Sequence, residues 1–335
     1  MMSEELRQQV GWLFMVGLPG TELDDSTLRL IRKERINNFI IFKRNVETPE
    51  QLRALCESLK AACLDEQLPP PLISIDQEGG TVARLSAPFT RFADARILAE
   101  DERAEELLAD YARTCARELL GVGINMNLAP VLDVCPAGQG FFMERRSLGE
   151  DPGRVAELGA LIISGMQQAG LAACAKHFPG LGGAVLDPHK QLPTVARSIQ
   201  ELVAGDLVPF RKAMAGEVAA IMTSHTIYSR LDPAQPATLS SEILTGLLRG
   251  QLGFDGLVIT DDLEMGAIEN DGSVADAALA AFNAGADMLL ICHDHHKIIA
   301  ARENLFKAMK EEKNHARLKK SLARVAAVRS RFAGD

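Results

Sequence analysis

Residues 172–189 read AACAKHFPGLGGAVLDPH, and this stretch decides the fold because it joins a buried strand to a glycine-rich loop. The small apolar run from Ala172 to Ala175 is typical of a strand that is covered on both faces. It continues directly into Lys176 and His177. Charged groups at the end of a buried strand break the local packing rules, as is expected at functional sites. The stretch therefore predicts a parallel strand whose carboxyl end carries part of a site.

Seven further apolar runs share this character and alternate with helical patterns. They lie at residues 11–17, 38–42, 72–76, 123–128, 219–224, 256–260 and 286–291. Helix start signals stand at Thr48-Pro49, at Asp151-Pro152 and at Ser198, with Glu201 three positions later. Eight strands that alternate with helices over 335 residues predict an α/β protein, a single (β/α)₈ TIM barrel that spans residues 1–335.

Two further expectations concern this architecture. A doubly wound open sheet is the alternative fold, but no GxGxxG motif follows the first strand. The charged segment 311–331 predicts a final amphipathic helix on the exterior of the barrel.

The predicted strands end in polar groups, which is where a barrel carries its catalytic residues. In chain order these groups are Lys43-Arg44-Asn45, Asp76-Gln77-Glu78 with Arg84, Asn127 and Asp133, Lys176-His177, His225, Asp261-Asp262, and Cys292-His293-Asp294. Their repetition predicts one site at the carboxyl-end rim.

Composition excludes several classes of function. The net charge of -9 argues against nucleic acid as a partner, because phosphate binding requires a basic surface. No apolar run approaches the roughly 20 residues that span a bilayer. We see no secretory signal at the N-terminus, and six cysteines without CxxC spacing indicate free buried thiols. We expect a cytoplasmic protein that acts on a small molecule; the sequence leaves its oligomeric state open.

Seven segments carry a resemblance to a known family. They are IDQEGGTVARL (75–85), NLAPVLDV (127–134), RSLGEDP (146–152), KHFPG with DPH (176–189), MTSHTIY (222–228), PATLS (236–240) and LGFDGLVITDDLEM (252–265). In this order they closely resemble glycoside hydrolase family 3, in its single-domain β-N-acetylhexosaminidase branch. The resemblance covers nearly the whole chain.

The resemblance implies an activity and a set of site residues. It implies a retaining enzyme that removes terminal β-linked N-acetylglucosamine from muropeptides (N-acetylglucosamine linked to 1,6-anhydro-N-acetylmuramic acid), with no metal or organic cofactor. Asp261 would be the nucleophile, and His189 the acid/base with Asp187 as its partner. The sugar would be held by Asp76, Arg84, Arg146, Lys176, His177 and Met265.

These roles agree with the chemistry of the residue types. A retaining glycosidase needs a carboxylate on one face of the sugar and a proton donor at the leaving oxygen. Asp262 competes with Asp261 for the first role. A histidine that titrates near neutrality suits the second role, and Asp187 would orient His189. We expect the glycines of the long loop 178–195 to let it close over the sugar and carry His189 inward.

The chain departs from the family pattern at four positions, namely Thr81, Leu181, Gly183 and Pro188. These departures affect loop conformation and contacts with the leaving group. The departures at Leu181 and Gly183 leave open a non-catalytic sugar-binding barrel. A phosphorylase of the same fold is left open on other grounds: a neutral histidine repels an incoming phosphate less than a carboxylate acid/base would, so phosphate could replace water.

Three residues or clusters admit other interpretations. Lys176 could form a Schiff base, as in a barrel aldolase. His293, His295 and His296 suggest a metal site, although their spacing is imperfect and a solvated loop is favoured. His225 either lines the floor of the pocket or forms hydrogen bonds within the core.

Overall fold

Eight parallel strands form the centre of the protein, in a computed structural model that describes residues 4–184, 192–269 and 272–334. Their bounds are β1 Phe14–Gly17, β2 Asn38–Ile41, β3 Leu72–Ile75, β4 Met126–Asn127, β5 Ala172–Phe178, β6 Ala220–Thr223, β7 Leu257–Ile259 and β8 Leu289–Ile291. Most residues of these strands are buried on both faces, which explains the continuous apolar runs in the sequence. The strands are shorter than the runs; residue 11, for example, ends a helix.

The sheet closes into a barrel. Each strand pairs in parallel with the next, from β1 to β7, and β1 also pairs with β8. A parallel bridge between Ile259 of β7 and Met288, next to β8, joins the two edges. The predicted TIM barrel is therefore confirmed, and the alternative of an open doubly wound sheet is wrong.

Helices surround the barrel. Their bounds are α1 Glu4–Gly11, α2 Asp25–Glu34, α3 Pro49–Asp65, α4 Ala95–Glu100, α5 Ala104–Gly121, α6 Pro152–Gln168, α7 Ile199–Ala204, α8 Leu207–Ala215, α9 Gly266–Glu269, α10 Val274–Ala284, α11 His295–Ala308 and α12 Glu312–Phe332, with a π-helical segment at Glu242–Gln251. The predicted starts are confirmed, since Thr48, Asp151 and Ser198 each cap a helix. Among the described helices, none has the length and apolarity to cross a membrane.

A small sheet lies beside the barrel. Thr194–Val195 pairs in parallel with Ile227–Tyr228, which pairs antiparallel with Asp232–Pro236. These segments come from the connections after β5 and β6, so they tie together two loops at the carboxyl-end rim.

Helix α12 closes the opposite end of the barrel. Its Val325, Val328 and Phe332 join an apolar cluster with side chains from the barrel interior, such as Met126. The expectation of a helix on the barrel exterior is therefore incomplete. The helix presents one apolar face to the open end of the barrel, because the side chains inside need a cover there.

A buried carboxylate fixes this helix in place. Asp287, just before β8, is fully buried and receives Arg317 at 3.0 Å and Arg324 at 3.2 Å, both from α12. Arg249 of the π-helical segment contacts its other oxygen at 2.5 Å. Such a pairing satisfies the buried charge and holds α12 against the amino end of the barrel.

Candidate active site

A cavity of about 390 Å³ opens at the carboxyl ends of the strands. Its lining is Asp76, Thr81, Val82, Arg84, Phe142, Arg145, Arg146, Lys176, His177, Leu181 and Asp261. Five residues that were predicted to bind the sugar, and the predicted nucleophile, thus line the same cavity. Among the described residues, Met265 does not line this cavity, and the residue is only 7% exposed.

A chain of alternating charges runs across the cavity wall. Arg84 lies 3.1 Å from Asp76, whose other oxygen lies 2.7 Å from Lys176 Nζ. The same ammonium lies 2.6 Å from Glu78, which receives both Nε and Nη2 of Arg146, at 2.8 and 2.7 Å. Each charge has an opposite partner, so the chain can be buried and can present fixed donors and acceptors to sugar hydroxyls.

The ion pairs of this chain favour the charged forms of Lys176 and Asp76. Burial alone would lower the pKa of Lys176, but the carboxylates of Asp76 and Glu78 outweigh burial and raise that pKa. Burial would likewise raise the pKa of Asp76, yet Lys176 and Arg84 keep that pKa below its usual value. An ammonium held in this way is a poor nucleophile, so the geometry disfavours the Schiff-base interpretation of Lys176.

A second buried carboxylate orients His177. Asp133 is fully buried, and its Oδ2 lies 2.7 Å from His177 Nδ1. Because a carboxylate only accepts, Nδ1–H donates this bond and the other ring nitrogen is left for further contacts. Asp133 Oδ1 also accepts the backbone N–H of Leu181 at 2.6 Å. One carboxylate therefore orients the imidazole at the end of β5 and anchors the loop that follows.

The turn after β7 separates the two candidate nucleophiles. Asp261 lines the cavity, and its Oδ1 accepts the backbone N–H of Asp262 at 2.8 Å. The Asp262 side chain turns back, and its Oδ1 accepts the backbone N–H of Glu264 at 3.1 Å. Burial and the charges of Glu264 and Asp261 raise the pKa of Asp262 to about 7. A nucleophile must be ionised and must reach the sugar, so the geometry favours Asp261.

Comparison with known proteins agrees with this site. The model of the glycosyl hydrolase family 3 N-terminal domain matches residues 5–328. The chain belongs to glycosyl hydrolase family 3. It is therefore a glycoside hydrolase, which counts against the hypothesis of a non-catalytic barrel.

Three relatives support this membership. A β-hexosaminidase from Pseudomonas aeruginosa (strain LESB58) is 40% identical over 280 residues, which cover 84% of this chain and 82% of the relative. A family 3 β-N-acetylglucosaminidase structure from Paenibacillus sp. str. FPU-7 has a TM-score of 0.92 and 39% identity over 99% of this chain, which spans 63% of that protein. A β-N-acetylhexosaminidase structure from Beutenbergia cavernae DSM 12333 has a TM-score of 0.89 and 32% identity, and covers 98% and 99% of the two chains.

In this family 3 chain, the loop after β5 is anchored where it begins. A Cβ on Gly180 would lie 2.5 Å from Asp206 Cβ, and one on Gly182 would lie 2.1 Å from the carbonyl oxygen of Val134. These glycines are needed for close packing, and not only for the loop movement that the sequence suggested. Asp187 and His189 lie outside the described residues, so their predicted roles stay predictions.

The histidines after β8 contact protein groups. Arg44 Nη1 lies 3.3 Å from His293 Nδ1, and His295 Nε2 lies 3.2 Å from the carbonyl oxygen of Gly17. The backbone N–H of His296 donates to Asp294 at the start of α11. Within residues 4–184, 192–269 and 272–334, no group of three or more histidine, cysteine or acidic side chains is arranged to hold a metal ion.

Sequence reasoning did not assign roles to Glu78 and Asp133. Both follow strand ends that had been recognised as polar, and Glu78 is two residues from Asp76. The sequence did indicate that a further acid was needed, because a buried Lys176 and Arg146 require more than one carboxylate between them. Which acid meets which base depends on the barrel's closure, and spacing along the chain does not reveal it.

Proposed function

We propose that this family 3 enzyme is a retaining β-N-acetylglucosaminidase and that Asp261 is its nucleophile. The names of its relatives support the sugar, and one observation carries the residue assignment. The Asp261 carboxylate lines the same cavity as the charge chain of Asp76, Lys176 and Arg146. A carboxylate beside a fixed set of hydroxyl-binding groups is the arrangement that glycoside cleavage requires.

The proposed reaction has two displacements. The Asp261 carboxylate attacks the anomeric carbon while the bond to the leaving oxygen breaks and His189 gives that oxygen a proton. His189, now neutral, takes a proton from water as the water oxygen attacks the anomeric carbon and releases the Asp261 carboxylate. Asp187 would stabilise the imidazolium that is present before the first displacement and formed again in the second. The charge chain holds the hydroxyls still, so that the sugar is presented to Asp261 in one orientation.

We further propose a muropeptide fragment as the substrate: N-acetylglucosamine linked to 1,6-anhydro-N-acetylmuramic acid, cleaved in the cytoplasm by one domain of residues 1–335. All six cysteines are free and buried, which agrees with a reducing compartment.

The proposal is tested with a panel of aryl β-glycosides and with the muropeptide disaccharide. Turnover of the N-acetylglucosaminide with retained configuration, read by NMR, is the expected result. A 5-fluoro glycosyl fluoride should label the peptide that contains Asp261. Inversion, or label on Asp262, would overturn the assignment. Phosphate is included as one arm, because a glycosyl phosphate product would identify a phosphorylase.

A further inference from the structure

His225 lies behind the predicted nucleophile, with both ring nitrogens bonded. Its side chain follows β6 and is 1% exposed. Nε2 lies 2.9 Å from the backbone carbonyl oxygen of Asp262, and Nδ1 lies 2.7 Å from Thr238 Oγ1. The ring therefore connects the loop after β6 to the turn that carries Asp261.

The partner of Nε2 fixes a proton on that nitrogen. A carbonyl only accepts, so Nε2–H must donate to Asp262. Nδ1 contacts Thr238 Oγ1, whose hydroxyl also donates to the carbonyl oxygen of Ser224 at 3.0 Å and lies 2.7 Å from the hydroxyl of Thr223. The ring therefore joins these groups at the end of β6 to the turn after β7 through its Nε2–H bond.

The carbonyl that His225 binds is central to this turn. The same oxygen accepts the backbone N–H of Met265 at 3.0 Å, which closes the turn. The backbone N–H of Asp262 donates to Asp261 Oδ1, so the orientation of residue 262 decides how the Asp261 carboxylate is held. A rotation of residue 262 would carry the Asp261 carboxylate with it.

We propose that His225 is a positioning residue for Asp261, and that it acts by donating from Nε2 to the carbonyl of Asp262. This inference rests on the proposed function, because it takes Asp261 to be the nucleophile. His225 is not among the residues that line the cavity in the described part of the chain, so it has no assigned contact with the sugar. A displacement of about 1 Å at a reacting group can cost about 10²-fold in rate, and that is the effect we expect here.

The test compares two substitutions of His225 whose side-chain amides lie at different distances from the backbone. The amide nitrogen of His225→Gln can occupy the place of Nε2, whereas the shorter His225→Asn places its amide near Nδ1. Both variants are reacted with the 5-fluoro glycosyl fluoride, and the first-order rate constant for labelling Asp261 is measured by mass spectrometry. Circular dichroism at the labelling temperature gives the folded fraction of each variant, so that a merely structural defect can be separated from a slower labelling step. The matched control is His315→Asn on α12, because His315 Nε2 also binds a backbone carbonyl, at 2.6 Å from Met309 O.

We expect His225→Asn to label about 10²-fold more slowly than wild type, and His225→Gln and the control to stay within a few-fold. Inhibition by N-acetylglucosamine should not change. Equal rate constants for His225→Asn and wild type, or equally slow Asn and Gln variants, would overturn the inference. If His225→Asn does not fold, Thr238→Val replaces it and should slow labelling; an unchanged rate would count against the proposal. Wild-type label away from Asp261 would overturn the proposed function instead.

Discussion

Among substitutions that remove one charge from this chain of alternating charges, Glu78→Gln should lower the stability of the protein most. The Glu78 side chain is 5% exposed and contacts Lys176 at 2.6 Å and Arg146 at 2.7 Å. Glutamine keeps the shape but removes the charge between two buried cations. Lys176 then has only Asp76, and Arg146 loses its carboxylate partner. Leaving a buried charge without its partner costs about 3–5 kcal/mol, and we expect the free energy of unfolding to fall by that amount.

The assay is urea denaturation at neutral pH, followed by fluorescence and circular dichroism. The control is Glu105→Gln, which removes a carboxylate that lies 2.5 Å from Arg154 but is 61% exposed. Its unfolding midpoint should not move, because water screens an exposed pair. A Glu78→Gln loss below about 1 kcal/mol, the range of exposed pairs, would show that these ion pairs are not effectively buried. Activity should fall too, since Arg146 loses the contact that orients it.

Three further results are expected. The pKa of Asp262 is raised to about 7, so its share of stability is fully present below the unfolded pKa of about 3.9 and is lost as the pH rises to about 7. The unfolding free energy of wild type relative to Asp262→Asn should fall across that window, and a flat difference would contradict the raised pKa. His189→Ala should slow natural disaccharides by about 10²–10⁴-fold and spare the first step with dinitrophenyl glycosides; equal losses on both would indicate a binding role. Activity should survive exhaustive chelation. If activity is lost and zinc restores it, His293 and its neighbours would again be candidate metal ligands.

The fold was predictable because its signal is repeated. Each buried strand shows as an apolar run with a polar end, and eight such runs leave few other topologies. The predicted strand bounds were less exact, because residues next to these short strands are apolar and buried without belonging to the strand. Leu13, for example, is buried just outside β1.

Part of the cavity lining was predictable from the sequence, and the ion pairs within it were not. The strand ends named Asp76, Lys176 and Asp261, and the cavity brings them together. The partners were missed because contacts between Glu78 and Lys176 span about a hundred positions, and only the closed barrel makes them neighbours. Gly182 was predicted to allow movement of the loop, because the sequence does not show that Val134 packs against it.

The helix that closes the amino end of the barrel has a consequence for fusions and truncations. A shortened chain that ends before α12 would lose Val328 and Phe332 from the interior cluster, together with two of the arginines that bind Asp287. Deleting this helix to make a smaller catalyst should therefore yield insoluble material. An added module should be joined beyond Phe332, where it leaves this apolar contact intact and stays at the opposite end from the loops of the carboxyl-end rim.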